Sequence, residues 1–314
     1  MNRYLPRGFV SGCICLLALT TLAADPRPRQ PNADRAFGYL QDVCKIGPRY
    51  SGSPGMDAQQ QLIARHFAKF PCKLSYQTFD HPHPLSGVPV RMNNIIISWQ
   101  PEATERVLLA CHYDTRPLPD MDPNPAQARQ GRFLGANDGA SGVALFMELA
   151  HHLAELKPRY GVDFVLFDGE ELIYGNRGEF FAGSIHFATE YKLHPPAHRY
   201  LACVLVDMIG DRNLAIYQER NSLKLAPKLV ESVWAAAARA GVKEFIPKAR
   251  HEVRDDHLPL NEIAAIPAID LIDFDYPHWH TSKDVPAQCS GASLAKVGSV
   301  LLEWLSTLPE LPLR

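Results

Sequence analysis

The sequence predicts a single-domain α/β/α sandwich with a central mixed, mostly parallel β-sheet. Nearly continuous apolar runs, such as 106–111, 162–167 and 200–206, are typical of strands that are buried on both faces. Helical segments with apolar spacing alternate with these runs, and this alternation indicates a sheet covered by helices on both sides. Because no internal repeat or linker follows residue 35, we expect one domain at 35–314.

The elements are assigned in chain order from their periodicity and their flanking turn residues. Two amphipathic helices come first, at 36–46 and 56–70, and the Gly- and Pro-rich loop 47–55 separates them. The strands are predicted at 73–79, 93–98, 106–111, 162–167, 200–206 and 268–272. The remaining helices are predicted at 138–156, 223–240 and 293–305. The aromatic and Pro-rich segment 79–89 is predicted to be a surface loop.

The composition is that of an ordinary globular protein. Hydrophobic residues make up 46% of the 314 positions, and the formal net charge is −2. A charge this close to zero gives no basic field for nucleic acid, so we expect no nucleic-acid partner. The cysteines outside the first 24 residues are scattered and odd in number, which does not predict a disulfide framework. Cys111 and Cys203 lie in apolar runs and are expected to be buried free thiols.

The first 24 residues have the pattern of a signal peptide. Arg3 and Arg7 precede the mostly apolar run 9–22, and Ala23 and Ala24 follow it as a small-residue cleavage site. We therefore expect an exported protein, secreted or periplasmic, with no stable membrane insertion after the signal is removed. An uncleaved anchor and a lipid anchor at a cysteine of the apolar run are the weaker alternatives. Residues 25–34 are expected to be a loose lead-in.

Acidic and histidine side chains follow the carboxyl ends of the predicted strands, where open α/β sheets form their binding crevice. The members of this set are His112, Asp138, Glu170, Glu171, Asp207 and His280. Asp138 opens a predicted helix and is also expected to cap it. Because so many carboxylates would repel one another without a cation, and because imidazole and carboxylate groups suit Zn²⁺, the sequence predicts a zinc site.

Four segments resemble the successive motifs of co-catalytic zinc aminopeptidases. They are His112-Tyr-Asp114, Gly135-Ala-Asn-Asp-Gly-Ala-Ser-Gly142, Phe167-Asp-Gly-Glu-Glu171 and Asp207-Met-Ile-Gly210. The resemblance covers roughly residues 35 to 310 and implies a zinc exopeptidase-like fold. Other segments more closely resemble animal-type glutaminyl-peptide cyclotransferases. They are Asp255-Asp-His257, Trp279-His-Thr281, Arg49-Tyr-Ser-Gly-Ser-Pro-Gly55 and Asn93-Asn-Ile-Ile96.

The second resemblance implies a residue-by-residue assignment. Asp138, Glu171 and His280 would hold one catalytic zinc per chain, and Glu170 would be the general acid/base. Asp207 and Asp255 would complete a carboxylate hydrogen-bond network, and Trp279 would form a wall of the substrate pocket. The implied reaction cyclises the N-terminal glutamine of a peptide or protein to pyroglutamate and releases ammonia. The implied substrate partner is a peptide or protein N-terminus, and we expect a monomer.

Two alternatives remain open at this point. In a two-zinc aminopeptidase, His112 and Asp207 would hold a second zinc, Asp138 would bridge the two ions, and Glu170 would activate water. In a non-catalytic binding domain, the fold would be kept without turnover. Compared with the animal cyclases, this chain has a longer insert at 117–132, which is expected to shape the pocket rim.

Overall fold

Six strands form the central sheet of the computed structural model, which describes residues 1–2, 30–308 and 310. The sheet strands are β1 (Lys73–Pro82), β2 (Pro89–Trp99), β3 (Glu105–His112), β4 (Gly161–Phe167), β5 (Arg199–Asp207) and β8 (Ala268–Ile272). A separate parallel pair is formed by β6 (Ile216–Glu219) and β7 (Phe245–Arg250).

The order of the large sheet is β1-β2-β4-β3-β5-β8. β1, β2 and β4 pair antiparallel, whereas β4, β3, β5 and β8 run parallel to one another. The mixed, mostly parallel sheet is therefore confirmed. Because the four parallel strands end at one edge, the residues that follow them are brought together there.

Helices cover both faces of the sheet. Their bounds are α1 (Ala33–Ile46), α2 (Pro54–Phe67), α3 (Pro125–Gln130), α4 (Ala140–Leu153), α5 (Ala182–Leu193), α6 (Arg220–Leu225), α7 (Pro227–Ala240), α8 (His257–Glu262) and α9 (Gly291–Ser306). On β3, Val107 and Leu109 belong to the core that includes α1, α4, α7 and α9, whereas Leu108 and Ala110 belong to the core with α5 and α8. This alternation explains why the strand reads as a continuous apolar run.

Three sequence expectations about elements are wrong. The helix expected at 223–240 is two helices, because Pro227 lacks a backbone N–H and Ala226 has the non-helical φ of −141°. Residues 79–89 are not simply a loop, since the β1–β2 pairing continues to Pro82 opposite Pro89. The predicted loose lead-in at 25–34 extends too far, because α1 begins at Ala33 and Asn32 caps it.

Two ion pairs with buried carboxylates connect the layers. Glu148, inside α4, accepts from the Asn32 N–H at 2.7 Å and pairs with the Arg35 guanidinium at 2.6 Å, which fastens the start of α1. At the opposite edge of the sheet from the parallel strand ends, the Arg106 guanidinium lies 2.5 Å from the Asp163 carboxylate, and both side chains are 1% exposed. Breaking such a pair leaves an uncompensated buried charge.

The cysteines and the N-terminus complete the comparison with the sequence. The five cysteines of the described chain are free, as expected for an unpaired set. Within residues 30–308, no helix has the length and apolar character needed to cross a bilayer. The predicted signal peptide at 1–24 lies almost wholly outside the described residues.

Candidate active site

The five side chains predicted to converge at the ends of the parallel strands do so. The Nε2 atom of His280 lies 3.1 Å from Glu171 Oε2 and 3.4 Å from Asp138 Oδ2. On the other side of Asp138, His112 Nε2 lies 3.2 Å from Asp138 Oδ1 and 3.2 Å from Asp207 Oδ1. The sequence argument from strand ends therefore placed these groups correctly.

Asp138 does not cap the helix that follows it, and that part of the prediction is wrong. The N-cap of α4 is Gly139, and no side chain accepts a cap hydrogen bond there. Asp284 instead accepts from the backbone N–H groups of Asn137 (2.9 Å) and Asp138 (3.1 Å). Those donors lie before the first turn of α4, so Asp284 holds the preceding turn, and the two Asp138 oxygens face the two histidines.

Asp114 holds the turn that presents the two glutamates. Its carboxylate oxygens accept separately from the backbone N–H groups of Glu170 and Glu171, both at 3.1 Å. Gly169, just before them, has a φ of +71°, and a Cβ there would lie 2.6 Å from the Met92 sulfur, so glycine is needed at this position. This turn directs the side chains of Glu170 and Glu171 into different surroundings.

The arrangement around His280 fits a zinc ion. Tetrahedral coordination with bonds of 2.0–2.2 Å separates donor atoms by about 3.3 Å. The distances from His280 Nε2 to Glu171 Oε2 and Asp138 Oδ2 are 3.1 and 3.4 Å. Both of these carboxylate oxygens are buried without a hydrogen-bond partner, which is costly unless a cation satisfies them. His112, Asp138 and Glu171 also offer atoms within 4.8 Å of one another.

The two histidines differ in their electrostatic surroundings. Burial lowers the pKa of His280 to about 4, so its imidazole is neutral at pH 7, as a metal ligand must be. Burial also lowers the pKa of His112, but interactions with Asp114, Asp138 and Asp207 more than offset it and hold that pKa well above the usual value. His112 therefore favours the protonated form that pairs with carboxylates.

The remaining carboxyl groups favour the protonated form. Burial, together with Glu171 and Asp255, raises the pKa of Glu170 well above its usual value. Burial and the neighbouring Asp207 and Asp256 do the same for Asp255. Since adjacent carboxylates cannot all be ionised in a buried site, this group of acids retains protons at neutral pH.

A cavity of about 250 Å³ opens directly onto these groups. Its charged lining includes Asp138, Glu170, Asp207 and Asp255. Its apolar lining comprises Phe180, Phe181, Val253, Ile272, Phe274 and Trp279. The ring of Trp279 stacks beside that of His280, with centroids 4.0 Å apart, so an indole face borders the proposed metal site.

Three residues that the sequence argument did not assign also shape the site. Arg116 donates its backbone N–H to Glu171 Oε1 at 2.6 Å, and Asp114 and Asp284 hold the turns described above. Asp114 lies in a motif that was recognised, so its position was a usable signal. Neither Arg116 nor Asp284 belongs to a periodic pattern, and Asp284 contacts residues 146 and 147 positions away.

Comparison with known proteins agrees with this site. The model of peptidase family M28 matches residues 94–305. Among solved structures, glutaminyl cyclase from Fimbriiglobus ruber is 40% identical with a TM-score of 0.86, and the match covers 90% of this chain and 97% of that one. A leucine aminopeptidase precursor from Bacteroides thetaiotaomicron is 31% identical with a TM-score of 0.82, covering 89% of this chain and 98% of that one.

Among curated relatives, glutaminyl-peptide cyclotransferase of Drosophila melanogaster is 25% identical over 262 residues, which are 76% of this chain and 70% of that protein. The family match spans more than half of the chain, and the structural match to a glutaminyl cyclase covers nearly all of it. The chain therefore belongs to peptidase family M28 and is similar over nearly its whole length to glutaminyl cyclase.

Proposed function

We propose that this protein is a glutaminyl-peptide cyclotransferase, which converts the N-terminal glutamine of peptides or proteins to pyroglutamate and releases ammonia. The observation that carries the proposal is the cavity in which Glu170 and Asp255 line the same small space as Trp279 and His280. That space offers acid/base groups on one side and a flat apolar wall on the other. A bent glutamine side chain needs both.

In this proposal, Asp138, Glu171 and His280 hold a single zinc ion. When bound, zinc supplies Lewis-acid polarisation of the γ-carboxamide carbonyl of the substrate glutamine. His112 is assigned to hydrogen bonding with Asp138 and Asp207, because its raised pKa favours an imidazolium. One zinc per chain follows from that assignment.

Glu170 carries the proton in this scheme. The substrate's α-amino nitrogen forms a bond to its own γ-carbonyl carbon, and the bond from that carbon to the amide nitrogen breaks. With the shared proton on Asp207 or Asp255, an ionised Glu170 takes a proton from the attacking amine and delivers it to the departing amide nitrogen, which leaves as ammonia, so the reaction balances without water. Asp207 and Asp255, which line the same cavity, share protons with Glu170. The tethered nucleophile gives the reaction a large proximity advantage.

Trp279 is proposed to restrict the substrate. Its indole is half-buried, stacks beside His280 and contacts the Phe274 ring at a centroid distance of 5.1 Å. A rigid ring held on both sides loses little entropy when a ligand binds against it. It can therefore hold the flexible glutamine side chain folded back toward its own amine.

A two-zinc aminopeptidase is the second candidate. It is favoured by one observation, that Asp138 presents its other oxygen to His112 Nε2 at 3.2 Å and Asp207 Oδ1 lies 3.2 Å from the same nitrogen. In that case His112 and Asp207 would hold the second ion and Asp138 would bridge. The similarity to glutaminyl cyclase over 90% of the chain favours the first candidate.

A pair of matched peptides tests the proposal. One peptide begins with glutamine, and the other carries alanine in its place. The cyclase needs the γ-carboxamide, so we expect turnover of the first alone, with one zinc per chain by metal analysis. An aminopeptidase would shorten both peptides and would contain two zinc ions. We further propose that the protein is exported, on the basis of residues 1–24, and acts as a monomer.

A further inference from the structure

The loop at 117–132, here called the insert loop, contacts the segment that carries His280. The backbone N–H of Met121 donates to the carbonyl oxygen of His280 at 3.1 Å. Next to it, Asp122 accepts from the backbone N–H of Ser282 at 2.9 Å and also from the Ser282 hydroxyl. The backbone at His280 and just after it is therefore attached to one loop.

His280 needs such support, because its backbone is strained. Its φ is +53°, in the left-handed region that a residue with a Cβ rarely adopts. Strain of this kind persists only where surrounding contacts determine the conformation, and it is concentrated at functional sites. The hydrogen bonds from Met121 and to Asp122 are contacts of this kind.

The same loop also reaches the second proposed ligand, Glu171. Asp120 forms a two-bond ion pair with the Arg116 guanidinium, at 2.8 and 2.9 Å. Arg116 is buried, its backbone N–H donates to Glu171 Oε1 at 2.6 Å, and its guanidinium lies 3.8 Å from Glu171 Oε2. The orientation of Glu171 is thus linked to the insert loop through Arg116.

We propose that Asp122 is a positioning residue, which fixes His280 through Ser282 and so sets the geometry of the metal site. Asp122 does not line the cavity, so we assign it no direct contact with the substrate. The inference rests on the proposed assignment of His280 as a ligand. It gives the insert loop a role in metal affinity, whereas the expected role at the pocket rim is not seen, because no residue of 117–132 lines the cavity.

The test is zinc affinity in Asp122→Asn, measured by competition with a chromogenic chelator, together with the visible spectrum of the cobalt-substituted protein. Partners behind a ligand typically contribute about 10–100-fold to metal affinity, so we expect a weakening within that range and a changed cobalt spectrum. Asp42→Asn, which removes an exposed carboxylate paired with Lys45, is the matched control and should leave both unchanged.

Ser282→Ala provides a second route to the same interaction. If Asp122 acts through Ser282, the double variant should bind zinc only about as weakly as the poorer single variant. Asp122→Asn with parental zinc affinity and an unaltered cobalt spectrum would overturn the inference. Ammonia release by the parent enzyme is measured separately, so failure of the proposed function would be recognised independently.

A different observation concerns the charge at the cavity mouth. Arg254 supplies the only guanidinium or ammonium group among the described residues that line the cavity. Its side chain is exposed and makes no hydrogen bond or ion pair with the rest of the described chain. Its backbone is fixed, because the preceding residue, Val253, donates to Glu219 at 3.0 Å and accepts from Asn221 at 2.9 Å.

We infer that Arg254 forms a subsite for an acidic residue next to the N-terminal glutamine of the substrate. This inference rests on the proposed function. Asp255, which follows Arg254, lies inside the cavity among the acids that would receive the substrate's amino group. Glu252 is also exposed at the cavity lining and lies further from Asp255 along the chain. Arg254 is therefore the cation that the cavity lining offers beside Asp255.

The measurement is the ratio of kcat/KM for a Gln-Glu peptide to that for a Gln-Gln peptide. Exposed charge pairs contribute up to about 1 kcal/mol, so Arg254→Gln should lower the ratio roughly two- to five-fold. Glu252→Gln should raise it, and Lys248→Gln, an exposed charge that does not line the cavity, should leave it unchanged. An unaltered ratio in Arg254→Gln would refute the subsite. A parent protein that does not convert the Gln-Gln peptide would refute the proposed function itself.

Discussion

Asp138 Oδ2 lies 3.4 Å from His280 Nε2, while the other oxygen of the same carboxylate lies 3.2 Å from His112 Nε2. One side chain thus stands between a histidine that is neutral at pH 7 and a histidine that favours its protonated form. This arrangement is compatible with both the cyclase and the aminopeptidase proposals. Metal analysis distinguishes the one-zinc assignment from the two-zinc assignment.

Glu170→Gln should fold normally, retain zinc and lose nearly all turnover. Positioned proton transfer typically contributes about 10²–10⁴-fold, and a glutamine cannot carry the proton. The neighbouring Glu171→Gln is the matched variant and should lose zinc instead. Kinetics and metal analysis on both proteins check this. If Glu170→Gln lost zinc while Glu171→Gln retained it, the roles of the two glutamates would be reversed.

Trp279→Ala should impair catalysis more than it impairs folding. The indole is half-buried and lines the cavity, whereas removal of a core tryptophan typically costs about 3–5 kcal/mol. We expect a small decrease in melting temperature with a large fall in kcat/KM. Trp304→Ala, at a buried position with 1% exposure, supplies the contrast and should mainly destabilise the fold. A Trp279→Ala protein with a low melting temperature and near-normal kinetics would argue for a structural role.

Asp163→Asn should destabilise the protein without altering the chemistry of the folded molecules. The change leaves the Arg106 guanidinium buried without its counter-charge, and Asp163 also accepts from the Tyr200 hydroxyl at 2.6 Å. Breaking a buried pair on one side typically costs about 3–5 kcal/mol. Urea unfolding measures this loss. A decrease below about 1 kcal/mol would mean that the pair contributes little.

Acid should selectively remove the contribution of Glu148 to stability. Burial alone would raise its pKa, but His152, Arg35 and the Asn32 N–H outweigh burial and lower it to about 2. Because the folded pKa lies below the unfolded value of about 4.3, the contribution is complete above the latter and is lost as the pH falls toward 2. The difference in unfolding free energy between the parent and Glu148→Gln should therefore shrink over that interval. A constant difference would contradict the assignment.

The strand ends could be predicted from the sequence, but the contacts that orient the proposed metal ligands could not. Apolar runs predicted the bounds of β3, β4 and β5 to within a residue or two. Strands that are buried on both faces consist almost entirely of apolar residues, so they stand out in the sequence. The pairing of Asp284 with the turn before α4, and of Asp122 with Ser282, joins residues more than 140 positions apart. No local pattern marks such pairs, because they depend on tertiary packing.

Other differences between the predicted and observed elements concern local sequence patterns. Pro227 marks a helix start, and its presence inside the expected helix at 223–240 was sufficient reason to divide it. α5, at Ala182–Leu193, was not predicted, because its polar and apolar residues do not form a clear stripe. Asp138 was expected to cap a helix on residue type alone, but α4 begins after Gly139 and has no side-chain cap.

The identity of the reaction product tests the central claim most directly. Purified, zinc-loaded protein is incubated with a glutamine-initiated peptide, and the products are identified by mass spectrometry alongside an ammonia assay. We expect a full-length pyroglutamyl peptide and one ammonia per peptide converted, with no reaction after the metal is removed by chelation. Free glutamine together with a peptide shortened by one residue would show that the protein is an aminopeptidase and would contradict the account.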